Sequence, residues 1–410
     1  MHFAHFFNMD PTSYSLYATM SKAPYGRNFN NQEVMSSMSG LFYAGALLAH
    51  LVFILYSVPA VAEHREQCAI VPESANPFGL VREAEFKQRF EQDIQPYWEN
   101  NGTQGRFCAD DGICISYMTF LRDDEKGAIV ISSGRTESYV KYKEVVYELG
   151  QQGYSVYIHD HRGQGFSDRI LAGEENKYKG HVDEFDDYVN DLDTFVREVV
   201  LSQPHEKLFL LAHSMGGGIA TRYIETHPDA FDAAALSSPM HAPDARILVS
   251  PEGGCLWFRL MDWICKDCYA GFTDKPYNPE PFEANEYTHS EVRYAQLLKT
   301  YANPENVEHV PLGGPTRGWA GQACAASAKM LKDTGEIKIP VLVLQAGADT
   351  AVTPEGQDKF CSNLEKETGW PCFGGGPITY EGAKHELFIE CDEYRIPAIT
   401  AILDFFSKVE

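Results

Sequence analysis

The chain has 410 residues, 44% hydrophobic and 22% charged, a globular composition with room for one large domain or two. Lys and Arg number 34 against 58 Asp and Glu, giving a formal net charge of -24. A surface this acidic repels phosphate backbones and anionic headgroups, which excludes nucleic-acid binding.

The first 62 residues carry none of that charge, because Lys22 and Arg27 balance Asp10 and Glu33. From Val34 to Ala62 there is no charged side chain, and Leu41 to Tyr56 is nearly continuous hydrocarbon apart from His50. A run of this length can cross a bilayer, while Pro59-Ala-Val-Ala62 offers the small-x-small pattern that signal peptidase accepts. Residues 1–62 therefore read as a signal peptide or a membrane anchor, and the choice stays open. The weak basic stretch before the run leaves Met20, Met35 and Met38 as alternative starts. The chain is expected to be exported or anchored on the periplasmic side of the inner membrane, with the cytoplasmic face as the alternative. All ten cysteines lie at Cys68 or later, an even number that invites disulfides in an exported chain. Cys108 with Cys114 and Cys361 with Cys372 are the expected pairs. Cys265-Lys-Asp-Cys268, a lone CxxC with no second ligand pair, reads as structural rather than as a zinc or redox site.

Residues 63–410 read as one domain. Glu63 to Trp98 suggests a polar linker and a short helix, and Phe107 to Phe120 a hairpin turning at Ala109-Asp-Asp-Gly112. Next come a strand at Ala128 to Ser132, helical spacing from Glu137 to Leu149, a strand at Ser155 to His159 and an amphipathic helix from about Val182 to Leu201. Leu208 to Ala220 follows, then a strand at Ala233 to Ser237. This alternation predicts a mostly parallel, doubly wound α/β sheet, in which ligands bind beyond the carboxyl ends of the strands. Regularity is then lost over about residues 239–338, far longer than an ordinary connection, which suggests an inserted cap with helices at Leu256 to Ile264 and Ser290 to Tyr301. Strands at Pro340 to Gln345 and Thr379-Tyr380 and a helix from Asp392 to Val409 close the fold.

Leu208-Phe-Leu-Leu-Ala-His-Ser-Met-Gly-Gly-Gly-Ile-Ala220 has the form of a nucleophile elbow: an apolar strand, a strained turn presenting Ser214, and a helix opening in glycines. Ala212 stands where the consensus has glycine, and needs only to be small. The strand ending at Gln345 runs into Asp349, and the one ending near Tyr380 runs into His385. Ser, Asp, His in that chain order can make a hydrolytic triad, in which His385 takes the serine proton and Asp349 fixes the imidazole tautomer. Asp349 equally suits a helix cap, His385 is one of 14 histidines, and Asp244 is a rival acid. Backbone N–H groups of Met215 and Arg135 are the candidate oxyanion donors. The Arg135 side chain is either a surface cation or a partner for a substrate phosphate.

Together, His159-Asp-His-Arg-Gly-Gln-Gly-Phe-Ser167, Ala212-His-Ser-Met-Gly-Gly217, Gly134-Arg-Thr-Glu-Ser-Tyr139 and Leu312-Gly-Gly-Pro-Thr316 with Trp319 resemble the bacterial PldB-like lysophospholipases. These lie in the monoacylglycerol-lipase-like branch of the α/β-hydrolases, and the likeness spans roughly residues 85–408. It implies an α/β-hydrolase fold and a serine esterase for lysophospholipid or monoacylglycerol, with Ser214, Asp349 and His385 on the triad positions and Arg135 and Met215 on the oxyanion positions. His159 to Ser167 matches a structural turn. The N-terminal segment and the many cysteines depart from the family pattern and put its usual compartment in doubt. Leu256, Trp257, Phe258, Leu260 and Met261 either shelter an acyl chain or pack as cap core. Short esters and peptide amides are the alternative substrates, and a non-catalytic binding protein on the same scaffold is the alternative class. No cofactor or metal is called for; the expected partner is the lipid or ester substrate, with membrane association open.

Overall fold

A computed structural model describes residues 68–243, 255, 257, 264–271 and 277–409. The uncharged N-terminal run, Asp244 and most of the helix expected at 256–264 lie outside these residues.

The described chain opens with α1 (Glu83–Arg89), one wide π-helical turn, and α2 (Gln95–Asn101). The hairpin follows as β1 (Gly102–Cys108) and β2 (Cys114–Phe120), then β3 (Gly127–Ser132), α3 (Lys143–Gln151) and β4 (Tyr154–His159). Next are α4 (Asp186–Glu198), β5 (Leu208–His213), α5 (Met215–Thr226) and β6 (Ala233–Ser237). The long excursion carries α6 (Glu291–Tyr301) and α7 (Arg317–Met330), after which β7 (Val341–Ala346), α8 (Pro354–Thr368), β8 (Ile378–Tyr380) and α9 (Asp392–Val409) complete the fold.

The eight strands form one sheet in the order β1-β2-β4-β3-β5-β6-β7-β8. Pairs from β4 through β8 are parallel, and only β1–β2 and β2–β4 are antiparallel. Every residue of β3, β4, β5, β6 and β7 is buried, as expected of parallel strands covered on both faces and written as short unbroken apolar runs. Successive side chains alternate between faces. Ala128, Val130, Leu208, Leu210, Leu236 and Val343 pack beneath α4, α5 and α7. Ile129, Ile131, Phe209, Leu211, Ala235 and Leu344 pack beneath α3 and α9. The sheet edges differ: β1 is largely exposed along Gly102-Thr-Gln-Gly-Arg106, which hid its first half from a reading based on apolar residues.

The ten cysteines form five disulfides. Cys108–Cys114 and Cys361–Cys372 pair as expected, and Cys265–Cys268 close on each other. Cys255–Cys324 ties an earlier point of the excursion to α7 within it, and Cys68–Cys391 joins the start of the described chain to the residue preceding α9.

Candidate active site

β5 ends at His213 and α5 begins at Met215, so the whole reversal falls on Ser214, whose backbone sits at φ 51°, ψ -119°. A side chain bears this strain only where the surroundings over-determine it. Here Ser214 N–H donates to Ser237 O at 3.0 Å, while its carbonyl accepts from Met240 N–H at 2.9 Å. A tight approach enforces the glycine that follows: a Cβ on Gly216 would lie 2.2 Å from Ser132 O and 2.3 Å from Ser133 O. The start of α5 is thereby seated on the end of β3.

The loops after β7 and β8 are bonded to each other, which places their side chains side by side. Gly347 N–H donates to Tyr380 O at 2.9 Å and Ala348 N–H to Ala383 O at 2.8 Å. Asp349 Oδ1 accepts the N–H groups of Ala351 and Val352 at 2.8 and 3.1 Å, which leaves Oδ2 turned to His385. A carboxylate only accepts, so His385 donates Nδ1–H to Oδ2 at 2.7 Å, and Nε2 accepts the Ser214 hydroxyl at 2.8 Å. The three groups expected from chain order thus meet at the carboxyl rim of the sheet. Asp349 holds the imidazole rather than merely capping a helix: α8 begins at Pro354, and its N-cap is Thr353.

Arg135 lies in the loop after β3, beside Thr136 at φ 63°. Its guanidinium is not a simple surface cation: Nη1 donates to Gly313 O at 3.0 Å, and the group lies 5.3 Å from the centre of the Trp319 ring. Met215 is the first residue of α5, so its N–H precedes the hydrogen-bonded ladder of the helix. Of the five apolar residues expected to shelter an acyl chain, Trp257 is described; it is half-buried against the core beneath α7, with the Arg317 guanidinium 5.9 Å from its ring. Leu256, Phe258, Leu260 and Met261 lie outside the described residues. The turn from His159 to Ser167 is structural as expected: Asp160 accepts from Ser138 Oγ, Tyr139 N–H and Phe166 N–H.

The family model described as serine aminopeptidase, S33 (Hydrolase_4) matches residues 123–392, about two thirds of the chain. The chain belongs to this family of α/β-hydrolases. The chain is 36% identical over 320 residues to lysophospholipase L2 of Escherichia coli strain K12, covering 77% of this chain and 90% of that protein. It is 28% identical to the monoglyceride lipase homolog of Monkeypox virus, over 66% of this chain and 85% of the relative. The fold also matches the crystal structure of a soluble variant of Saccharomyces cerevisiae monoglyceride lipase, with a TM-score of 0.56, 20% identity, and coverage of 75% and 97% of the two chains. Membership in the Hydrolase_4 family makes the protein a serine hydrolase.

Several groups not evident from the sequence also build this site. Ser238, at φ 44°, donates Oγ–H to His385 O at 3.0 Å and braces the histidine loop from β6. Glu137, Lys141, His213 and Glu386 form a largely buried ionisable cluster against the triad. Only His213 ends a strand; Glu137, Lys141 and Glu386 stand in the segments after β3 and β8, so no local pattern marks the cluster.

Proposed function

We propose that the protein hydrolyses the acyl ester of a single-chain lipid, lysophospholipid or monoacylglycerol, through an acyl-enzyme on Ser214. The observation that carries this reading is the unbroken chain from the Ser214 hydroxyl through His385 to Asp349. As Ser214 Oγ attacks the ester carbonyl, its proton passes to His385 Nε2, and Asp349 stabilises the imidazolium. The backbone N–H groups of Met215 and Arg135 receive the oxyanion. The imidazolium then gives its proton to the departing alcohol oxygen, and a water repeats the sequence to release the fatty acid. The names of the relatives at 36% and 28% identity support the lipid substrate. Residues 239–338 act in this reading as a cap that shelters the acyl chain.

Ser214→Ala removes the nucleophile, and turnover of oleoyl lysophosphatidylcholine and of monooleoylglycerol is expected to fall by about 10⁴ or more with the melting temperature unchanged. Near-normal hydrolysis by that variant overturns the assignment. Running an aminoacyl amide and a short nitrophenyl ester beside the two lipids tests the substrate class, and faster cleavage of the amide overturns the lipid reading.

We also propose that the enzyme works outside the cytoplasm. Five disulfides support this, because such bonds persist where the surroundings are oxidising. Among the described residues no helix is long and apolar enough to cross a membrane. The membrane-directed segment is the uncharged run ahead of them.

A further inference from the structure

Four largely buried ionisable side chains touch each loop that the chemistry uses. Glu137 closes the loop after β3: its Oε2 accepts Gly134 N–H at 2.6 Å and the Tyr142 hydroxyl at 2.6 Å. On the outside of the same loop, Gln164 Nε2 donates to Gly134 O at 2.8 Å and to Glu137 O at 3.0 Å. The amide of Arg135 is carried between these fixed points. The other oxygen of Glu137 accepts from Lys141 Nζ at 2.6 Å, and Lys141 also donates to Glu386 Oε2, one residue beyond His385. Glu386 in turn lies 3.2 Å from His213 Nε2, one residue before Ser214. A single relay of charge therefore joins the loop of Arg135, the loop of His385 and the serine elbow.

We propose that Glu137 is a positioning residue for the oxyanion-binding amide of Arg135, and that Lys141, Glu386 and His213 lock its loop to the histidine and the serine. This rests on the reading of Ser214 as nucleophile and of the Arg135 N–H as oxyanion donor. Glu137, His213 and Glu386 also present ligand atoms within 4.8 Å of one another, the pattern of a metal site. The Lys141 ammonium already bonds two of the three, so the cluster has its cation. Burial disfavours charge on Glu386 and on Lys141, yet their partners prevail: Lys141 and His213 hold Glu386 well below the usual carboxylate range, and the carboxylates of Glu137 and Glu386 raise Lys141. Stability alone does not call for such an arrangement, since a buried ion pair is often matched by apolar residues of the same volume. An oxyanion site does call for it, because its donors must stand 2.7–3.1 Å from the developing charge before that charge appears.

The test uses the full chain, monooleoylglycerol as substrate, an oleyl trifluoromethyl ketone that forms the tetrahedral adduct, and the non-hydrolysable monooleyl ether. Glu137→Leu removes the acceptor for Gly134 N–H. We expect kcat to fall about 30-fold with KM within about threefold, below the 10²–10³ loss of a deleted oxyanion donor. Affinity for the ketone falls in parallel, affinity for the ether stays unchanged, and Glu137→Gln, which keeps an acceptor oxygen, recovers most of the loss. Should Glu137→Leu fail to fold, Lys141→Met leaves the Gly134 bond in place and cuts the link to Glu386, with kcat expected to fall about fivefold and the same split between ketone and ether. A folded variant with kcat and ketone affinity within about twofold of the parent overturns the proposal, as does an equal loss of affinity for ketone and ether. If the parent is inactive or Ser214→Ala is active, the esterase reading itself has failed. If those two behave as expected and the Glu137 and Lys141 variants do not, only the positioning role has failed.

Discussion

The carboxylate of Asp349 is oriented before the imidazole meets it, because Oδ1 is committed to two backbone N–H groups. Asp349→Asn would place its amide oxygen on those same donors and turn its NH₂ toward His385 Nδ1. The imidazole would then have to carry its proton on Nε2, where it cannot accept from Ser214. Loss of kcat on the order of 10³–10⁴ is expected, as for the same exchange in a serine protease triad, with the retained fold checked by the melting temperature and the rate by steady-state turnover. Ser214, Asp349 and His385 were legible from their chain order, because each lies within five residues of the carboxyl end of a strand and the sheet rim then does the rest. Ser238 and Glu386 were not legible. Their roles come from contacts across 147 residues of chain, Ser238 to His385, and across 245, Glu386 to Lys141, and no local pattern records such meetings.

At the level of elements, caps and bridges decide where the excursion between β6 and β7 attaches. Thr316 is the N-cap of α7: its Oγ1 accepts Trp319 N–H at 3.2 Å, and it also meets His181 Nδ1 at 2.7 Å. Thr316 N–H donates to Gly180 O, so the same residue anchors the helix and the segment beside it. Thr316→Ala is expected to cost about 1–2 kcal/mol, read as a lowered melting temperature or urea midpoint with the denaturant slope unchanged. The helix it caps escaped the sequence because Arg317-Gly-Trp-Ala-Gly-Gln-Ala-Cys-Ala-Ala-Ser-Ala-Lys-Met330 has few large apolar residues to set a period. It is helical because its small side chains let it lie close against α5. The central strands and α9 were legible for the opposite reason, being written in unbroken apolar runs and a long apolar face. The start of α4 shifted from about Val182 to Asp186, since Val182 and Phe185 are buried in the turn leading into it.

Across the whole molecule, buried titratable groups make stability depend on pH. His241 is stacked 4.1 Å from the Phe360 ring, with Nε2 on the Thr221 hydroxyl, and burial lowers its pKa to about 3. His161, packed against Tyr188 with Nε2 on Ser133 O, is lowered by burial to about 4. Both folded-state values lie below the ordinary value near 6.5, so between about pH 4 and 6.5 the unfolded chain binds more protons. Stability is therefore lost as pH falls through that window, at up to about 1.4 kcal/mol per pH unit for each histidine. Thermal melts between pH 4.5 and 7 should show this decline, and His241→Gln should make it shallower; an unchanged slope would contradict the assignment. Elsewhere, Arg293 and Arg395 are buried against Glu144 and Glu148, joining α6, α9 and α3 through charge. The disulfide between Cys68 and Cys391 closes a ring of covalent bonds around nearly all of the described chain, with the four other disulfides inside it. Cutting the backbone once anywhere within that ring opens it without dividing it, so a nicked molecule travels and folds as one particle until its sulfurs are reduced.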